Sequence, residues 1–201
     1  MNVTTTAANG FNNLYDTPIA LDANGDFTII NPDWNEGTYT ITLACTDEAG
    51  NGPTVLGPFG PVTVDFTNPT VTIDQAIGQD DPTNIDSATY TVVFSEAIDP
   101  ATFDATDIEI TGTTTASITT GPTTTDNITW TFIVTGMTDG DTITATIDQD
   151  MVTDTAGNDN TISTSTDNTI TYDITPPVGP GDVTTTNFPT DDPSEPLSGA
   201  C

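Results

Sequence analysis

Residues 142–147 read TITATI, with Ile143, Ala145 and Ile147 on one side and Thr142, Thr144 and Thr146 on the other. A period of two commits a segment to a β-strand with one buried and one solvated face. The pattern recurs in Val71-Thr72-Ile73, in Ala88, Tyr90, Val92 and Phe94, in Ile108 and Ile110, and most strongly in Ile128, Trp130, Phe132 and Val134. Earlier in the chain Tyr39, Ile41, Leu43 and Cys45 share one face. No stretch carries a helical period, although Ala101 to Asp107 has room for a short helical turn. Threonine, close to a quarter of the residues, favours strands over helices. Short strands separated by turn signals predict an all-β chain built of antiparallel β-sandwiches.

One arrangement occurs twice: a strand, an Asp-x-Ala-Gly-Asn loop, a closing strand and a proline exit. TYTITLACTDEAGN leads through PVTVDF to Thr67-Asn68-Pro69, and TITATIDQDMVTDTAGNDN leads through a strand at Thr169 to Asp173 into Thr175-Pro176-Pro177. A length of 201 residues suits two domains of about 100 residues each. The expected division is a first sandwich over 1–68, a second over 69–175, and a Pro/Thr-rich segment over 176–201. That last segment reads as an extended linker or the first strand of a further unit. Val183-Thr184-Thr185-Thr186 within it echoes Val3-Thr4-Thr5-Thr6. In the first unit Asp22-Ala23-Asn24-Gly25-Asp26 reads as a hairpin turn, because Phe27 stands where an EF-hand loop needs glycine. Gly50 to Pro61 reads as a loop, and Val62 to Phe66 as the strand that closes the unit.

The charge restricts function further. The chain has 25 aspartates and 5 glutamates, with no lysine, arginine or histidine, for a formal net charge of -30. Side-chain salt bridges are therefore unavailable, and the repulsion must be met by cations from solution, by screening or by protonation. Without histidine there is no Ser-His or Cys-His nucleophile and no typical zinc site. Without lysine or arginine there is no Schiff base and no phosphate clamp. Nucleic acid is excluded as a partner, since its binding needs cationic side chains. Short carboxylates on loops suit Ca²⁺, which takes six to eight oxygen ligands in flexible geometry. No segment is apolar over the length needed to cross a bilayer, so no membrane insertion is expected. Met1 is followed by polar NVTTT, so no signal peptide is expected. Cys45 is expected to be a buried free thiol, while Cys201 ends the tail. Asp154-Thr155-Ala156 lacks the glycine of an aspartic-protease turn, and abundant carboxylates are not an arranged glycosidase pair. No catalytic residue is assigned. Asn2-Val3-Thr4 and Asn127-Ile128-Thr129 are formal glycosylation sequons, Asn127 being expected to face outward.

Residues 69–177 resemble a bacterial Ig-like repeat of large secreted and cell-surface proteins. The resemblance rests on VTIDQAIGQDDPTN, TYTVVFSEAI, FDATDIEITG, FIVTGMTDGDTITATI and DTAGNDNTISTSTDNTITYDITPP. Residues 1–68 resemble another Ig-like subtype through DANGDFTI, GTYTITLACTDEAGN and VTVDFTNP. The resemblance implies two tandem Ig-like antiparallel β-sandwiches in an extracellular or cell-surface protein, generally a non-enzymatic spacer, stalk or filament subunit. It also implies stiffening by Ca²⁺ where domains meet. Partners would be neighbouring Ig-like domains or copies of the chain itself. An adhesin module binding carbohydrate or a cell-surface protein through its loops is an alternative. So is a fibre in which the C-terminal tail donates a strand to an open sheet edge.

For Ca²⁺ the expected ligands fall into two groups. Asp47 and Asp65 at the end of the first unit would meet Asp74, Asp80 and Asp81 at the start of the second. Asp150, Asp154, Asp159 and Asp173 would form the matching edge toward a following unit. Clustered carboxylates raise one another's pKa, and a metal relieves that cost. For Asp47 and Asp154 the competing reading is structural, with the side chain capping the backbone of its own Ala-Gly-Asn turn.

Overall fold

The computed structural model describes residues 2–7, 12–15, 35–45, 49, 51–52, 54–112 and 115–177. Its strands are β1 (Asn2–Ala7), β2 (Asn12–Tyr15), β3 (Gly37–Cys45), β4 (Thr54–Val64), β5 (Val71–Gln75), β6 (Ala88–Phe94), β7 (Ile108–Thr111), β8 (Ser117–Thr124), β9 (Thr129–Thr135), β10 (Thr142–Ile147) and β11 (Thr169–Thr171). The named strands pair antiparallel in three sheets, ordered β2-β1-β3-β4, β5-β6-β9-β8 and β11-β10-β7. Among the described residues there is no α-helix, and no helix long and apolar enough to cross a membrane. The short helical turn is a 3₁₀ turn at Ala105–Asp107, where Asp104 accepts from the Thr106 N–H and Asp107 accepts from that of Asp104.

The second and third sheets enclose one core. Tyr90, Val92 and Phe94 of β6 and Trp130, Phe132 and Val134 of β9 pack with Ile143, Ala145 and Ile147 of β10, Ile108 of β7 and Ile170 of β11. Alternation in the sequence becomes alternation in burial, as the period of two requires. Tyr90 and Phe132 are register partners whose rings stack at 5.1 Å. Phe103 stands edge-on to both Phe94 and Trp130, at 5.4 and 5.1 Å. These residues form an all-β antiparallel β-sandwich. Residues before Asp65 contribute, among those described, the first four-stranded sheet.

β5 is not an open edge. On its far side Ile73 N donates to Thr164 O at 3.0 Å, Thr164 N to Val71 O at 2.9 Å and Gln75 N to Asp167 O at 2.8 Å, with a parallel bridge between Thr72 and Thr164. The segment that follows the acidic loop thus closes the sandwich against its first strand.

Three elements differ from expectation. β8, SITTGPTT, has no apolar alternation and no counterpart in the sequence reading; it pairs with β9 across two register shifts at an edge, where only one side of the strand needs partners. Residues 54–61, expected to be loop, belong to β4. Pro58 and Pro61 are tolerated because β4 is also an edge strand with irregular register, where a missing N–H breaks no ladder. β11 ends at Thr171, and Tyr172 instead bridges to Thr83. The hairpin at 22–26, the Cys45 side chain and the tail beyond 177 lie outside the described residues.

Candidate metal centre

The Asp154-Thr155-Ala156-Gly157-Asn158 turn is wound around one carboxylate. Asp154 Oδ1 accepts from the N–H groups of Ala156, Gly157 and Asn158 at 2.8, 2.7 and 2.9 Å, and Oδ2 accepts from Asn158 Nδ2 at 2.8 Å. Gly157 sits at φ +94°, a conformation that side chains other than hydrogen rarely adopt. The structural role weighed for Asp154 is thus present in full. Its side chain is 2% exposed. Burial alone would push its pKa up, but the bonds from Asn158, Ala156 and Gly157 outweigh burial and hold the carboxyl below its ordinary value.

Two further carboxylates meet it. Asp65 follows β4, and Glu96 follows β6 in the segment where Ser95 N donates to Thr70 O at 2.9 Å. That pairing brings the Asp65 segment against the end of β6. Asp99 N donates to Thr153 O at 2.9 Å, which brings the Asp154 loop to the same place. Asp65, Glu96 and Asp154 each offer a carboxylate oxygen, all within 4.8 Å of one another. Asn158 Nδ2 also donates to the Asp65 carbonyl at 3.2 Å. Glu36 stands nearby, accepting from Phe66 N at 3.1 Å and Thr67 Oγ1 at 2.7 Å. Burial raises the Glu96 pKa, and the charges of Asp65 and Asp154 raise it further. The chain contains no lysine, arginine or histidine to compensate them. An all-oxygen set of this kind suits a hard divalent cation such as Ca²⁺.

The two expected groups are rearranged. Asp65 pairs not with Asp74, Asp80 and Asp81 but with Asp154, from the other group, and with Glu96, which sequence reasoning missed. Asp74 lies at the opposite end of β5 and holds the 165–167 turn: Oδ1 accepts from Ser165 Oγ, Thr166 N and Asp167 N at 2.9, 2.8 and 2.7 Å. Asp81 accepts from Thr171 N at 2.8 Å, and Asp173 from Thr175 N at 2.8 Å. Asp80, Asp150 and Asp159 are exposed. Asp150 sits at φ 63°, next to Gln149, whose amide donates to it at 3.0 Å. Asp47 lies outside the described residues. Asn2 is in β1, and Asn127 is half-buried at φ 60° rather than facing fully outward.

Asn160 also escaped the sequence reading. It is 1% exposed and uses its whole amide: Oδ1 accepts from Met151 N and Val152 N at 2.9 and 2.7 Å, and Nδ2 donates to Asp148 O and Thr161 O, both at 2.8 Å. The acidic loop therefore hangs on two internal polar anchors, Asp154 and Asn160. A shallow groove at β8 and β9 is lined by Thr123, Thr124, Thr125, Asp126, Thr129 and Thr131. Thr123 and Thr124 already donate to the carbonyls of Thr131 and Thr129.

Neither curated proteins nor solved structures give a significant match to the chain. A family model described as a bacterial Ig-like domain matches residues 65–172, more than half of the sequence, and its limits fall on Asp65 and just past β11. The chain belongs to the bacterial Ig-like domain family.

Proposed function

We propose that the chain is a non-enzymatic spacer module of an extracellular surface protein, in which Ca²⁺ held by Asp65, Glu96 and Asp154 fixes the chain where it enters the sandwich. Membership of the family fits an extracellular surface-protein module in general, and such domains are generally non-enzymatic. The observation that carries the Ca²⁺ reading is the meeting of three carboxylate oxygens within 4.8 Å, drawn from positions far apart in the sequence. Asp65, whose Oδ1 also accepts from Thr67 N at 2.9 Å, and Glu96 supply charge and carboxylate oxygens. Asp154, already fastened by its own turn, supplies a pre-organised ligand. Asn158 ties the Asp65 backbone to that turn, so loading the ion would tighten the entry segment against the acidic loop.

Binding to the folded state alone stabilises it by about 2.7 kcal/mol at a hundredfold excess over Kd. For a domain of this size that is a rise of roughly 10 °C or more in thermal midpoint. The expected outcome is such a rise with millimolar Ca²⁺, beyond that produced by Na⁺ at matched ionic strength, and its loss in Glu96→Gln. Equal effects of the two salts on the parent chain would reduce the ion to screening and remove the proposal.

A further inference from the structure

The chain leaves its two closing strands in the same way. Asp65-Phe66-Thr67-Asn68-Pro69 follows β4, and Asp173-Ile174-Thr175-Pro176-Pro177 follows β11. In the first segment Thr67 N donates to Asp65 Oδ1 at 2.9 Å, and in the second Thr175 N donates to Asp173 Oδ1 at 2.8 Å. A second carboxylate, placed just ahead of the partner strand, grips each segment. Glu36 Oε1 accepts from Phe66 N at 3.1 Å and from Thr67 Oγ1 at 2.7 Å. Asp139 accepts from Ile174 N through Oδ1 and from Thr175 Oγ1 through Oδ2, both at 2.9 Å. The same three bonds recur, between corresponding positions and in the same order.

Antiparallel pairing accounts for the placement. Gly37 is the register partner of Val64, and Thr142 of Thr171, so residues just before the first strand of each pair lie beside residues just after the second. Beyond Thr142 the pairing continues from Tyr172 N to Asp141 O and from Gly140 N to Tyr172 O, which sets Asp139 opposite Ile174. Glu36 stands opposite Asp65, and its longer side chain reaches the two residues that follow. Packing holds neither segment, since Phe66 is 63% exposed and Ile174 52%. Charge opposes both arrangements: Glu36 stands beside Asp65 and Asp139 beside Asp173, in a chain without lysine, arginine or histidine. What holds each segment is its three bonds to carboxylate oxygens, the strong kind of hydrogen bond.

We propose that Glu36 and Asp139 are equivalent positioning residues, each fixing the direction in which the chain leaves its strand pair. Glu36 sets the path from β4 into the sandwich and so presents Asp65. Asp139 sets the path out of the sandwich and presents Asp173. The device consists of the chain's own hydrogen bonds, so it acts with or without an ion at Asp65, Glu96 and Asp154. It gives an acidic chain a set entry and a set exit without a salt bridge.

The test uses the full 201-residue chain in Na⁺ with a chelator. Amide hydrogen exchange is expected to quicken about tenfold or more at Phe66 in Glu36→Ala only, and at Ile174 in Asp139→Ala only. The Ile73 and Thr164 amides, which belong to the β5 closure, are expected to keep the parent's protection and so report that both variants fold. Glu36→Gln retains an acceptor oxygen and is expected to exchange as the parent does, which a role for the charge alone would not allow. Residual dipolar couplings read direction. In Glu36→Ala those of β3 are expected to shrink relative to those of β6 and β9, as the first sheet loses its fixed orientation. Thr67→Val, which deletes one donor and leaves every carboxylate in place, is expected to shift them the same way but less. Parent-like exchange at Phe66 in Glu36→Ala, or at Ile174 in Asp139→Ala, overturns the proposal. So do parent-like β3 couplings in Glu36→Ala, which would make Glu36 a local cap and nothing more.

Discussion

Asp86 Oδ1 accepts from the N–H groups of Gly136 and Met137, Asp126 Oδ1 from those of Ile128 and Thr129, and Asp139 Oδ1 from that of Ile174. Asp74, Asp81, Asp104 and Asp154 do the same for other turns. A short carboxylate reaches backbone N–H groups within its own turn or across a neighbouring one. This accounts for the excess of aspartate over glutamate in a chain that has no side-chain cations to pair with. Removing the Asp154 carboxylate strands three half-buried N–H donors. Asp154→Ala is expected to cost about 2–4 kcal/mol in urea unfolding, with Asn160→Ala in the same range and exposed Asp159→Ala within about 0.5 kcal/mol of the parent. The pH dependence has two signs. Burial of Asp74 and Asp154 is outweighed by their hydrogen bonds, so their folded pKa values lie below the ordinary aspartate value of 3.8. Their stabilisation is complete above that value and is lost as pH falls through the depressed folded values. Glu96 runs the other way: burial, then Asp65 and Asp154, raise it above 4.5. Without Ca²⁺, ionising Glu96 lowers stability as pH rises through that range. The thermal midpoint of the Ca²⁺-free chain is expected to decline there, and both Ca²⁺ and Glu96→Gln are expected to abolish the decline.

At the scale of elements, strands with a buried apolar face were legible, and edge strand β8, which lacks one, was not. β6, β9 and β10 announce themselves because each must alternate to fill the core. β8 faces no such demand; its threonines and Gly-Pro step carry no periodic signal, and only its pairing with β9 defines it. The same limit explains the metal centre. The Asp154 turn is local, and its Ala-Gly-Asn pattern reveals it. The meeting of Asp65, Glu96 and Asp154 depends on the Thr70–Ser95 and Asp99–Thr153 pairings, which no spacing in the sequence encodes. Glu96 was passed over among so many aspartates. The contrast between core and edge is measurable. Phe132→Ala, which removes a ring stacked on Tyr90, is expected to cost about 3–5 kcal/mol. Thr123→Ala on β8 is expected to change the urea midpoint little, within about 0.5 kcal/mol.

For the whole molecule, a net charge of -30 opposes compaction at low ionic strength. Raising NaCl from 0.01 to 0.15 M shortens the Debye length from about 30 to about 8 Å. It is expected to raise the thermal midpoint of the Ca²⁺-free chain steadily, a gentle slope distinct from the saturable Ca²⁺ step. The closure of β5 by residues 164–167 has another consequence, for force. The chain enters the sandwich at β5 and leaves it shortly after β11, and the bridge between Thr72 and Thr164 is parallel. Tension applied to the two ends of the sandwich therefore drags β5 and its partner segment in opposite directions along their length. The bonds Ile73–Thr164, Thr164–Val71 and Gln75–Asp167 are loaded together in shear instead of opening one after another. A single-molecule pull through residues 65 and 177 is expected to meet its main barrier at this clamp. Thr164→Pro, which removes one of these donors, should lower the rupture force, whereas a proline on edge strand β8 should leave it unchanged.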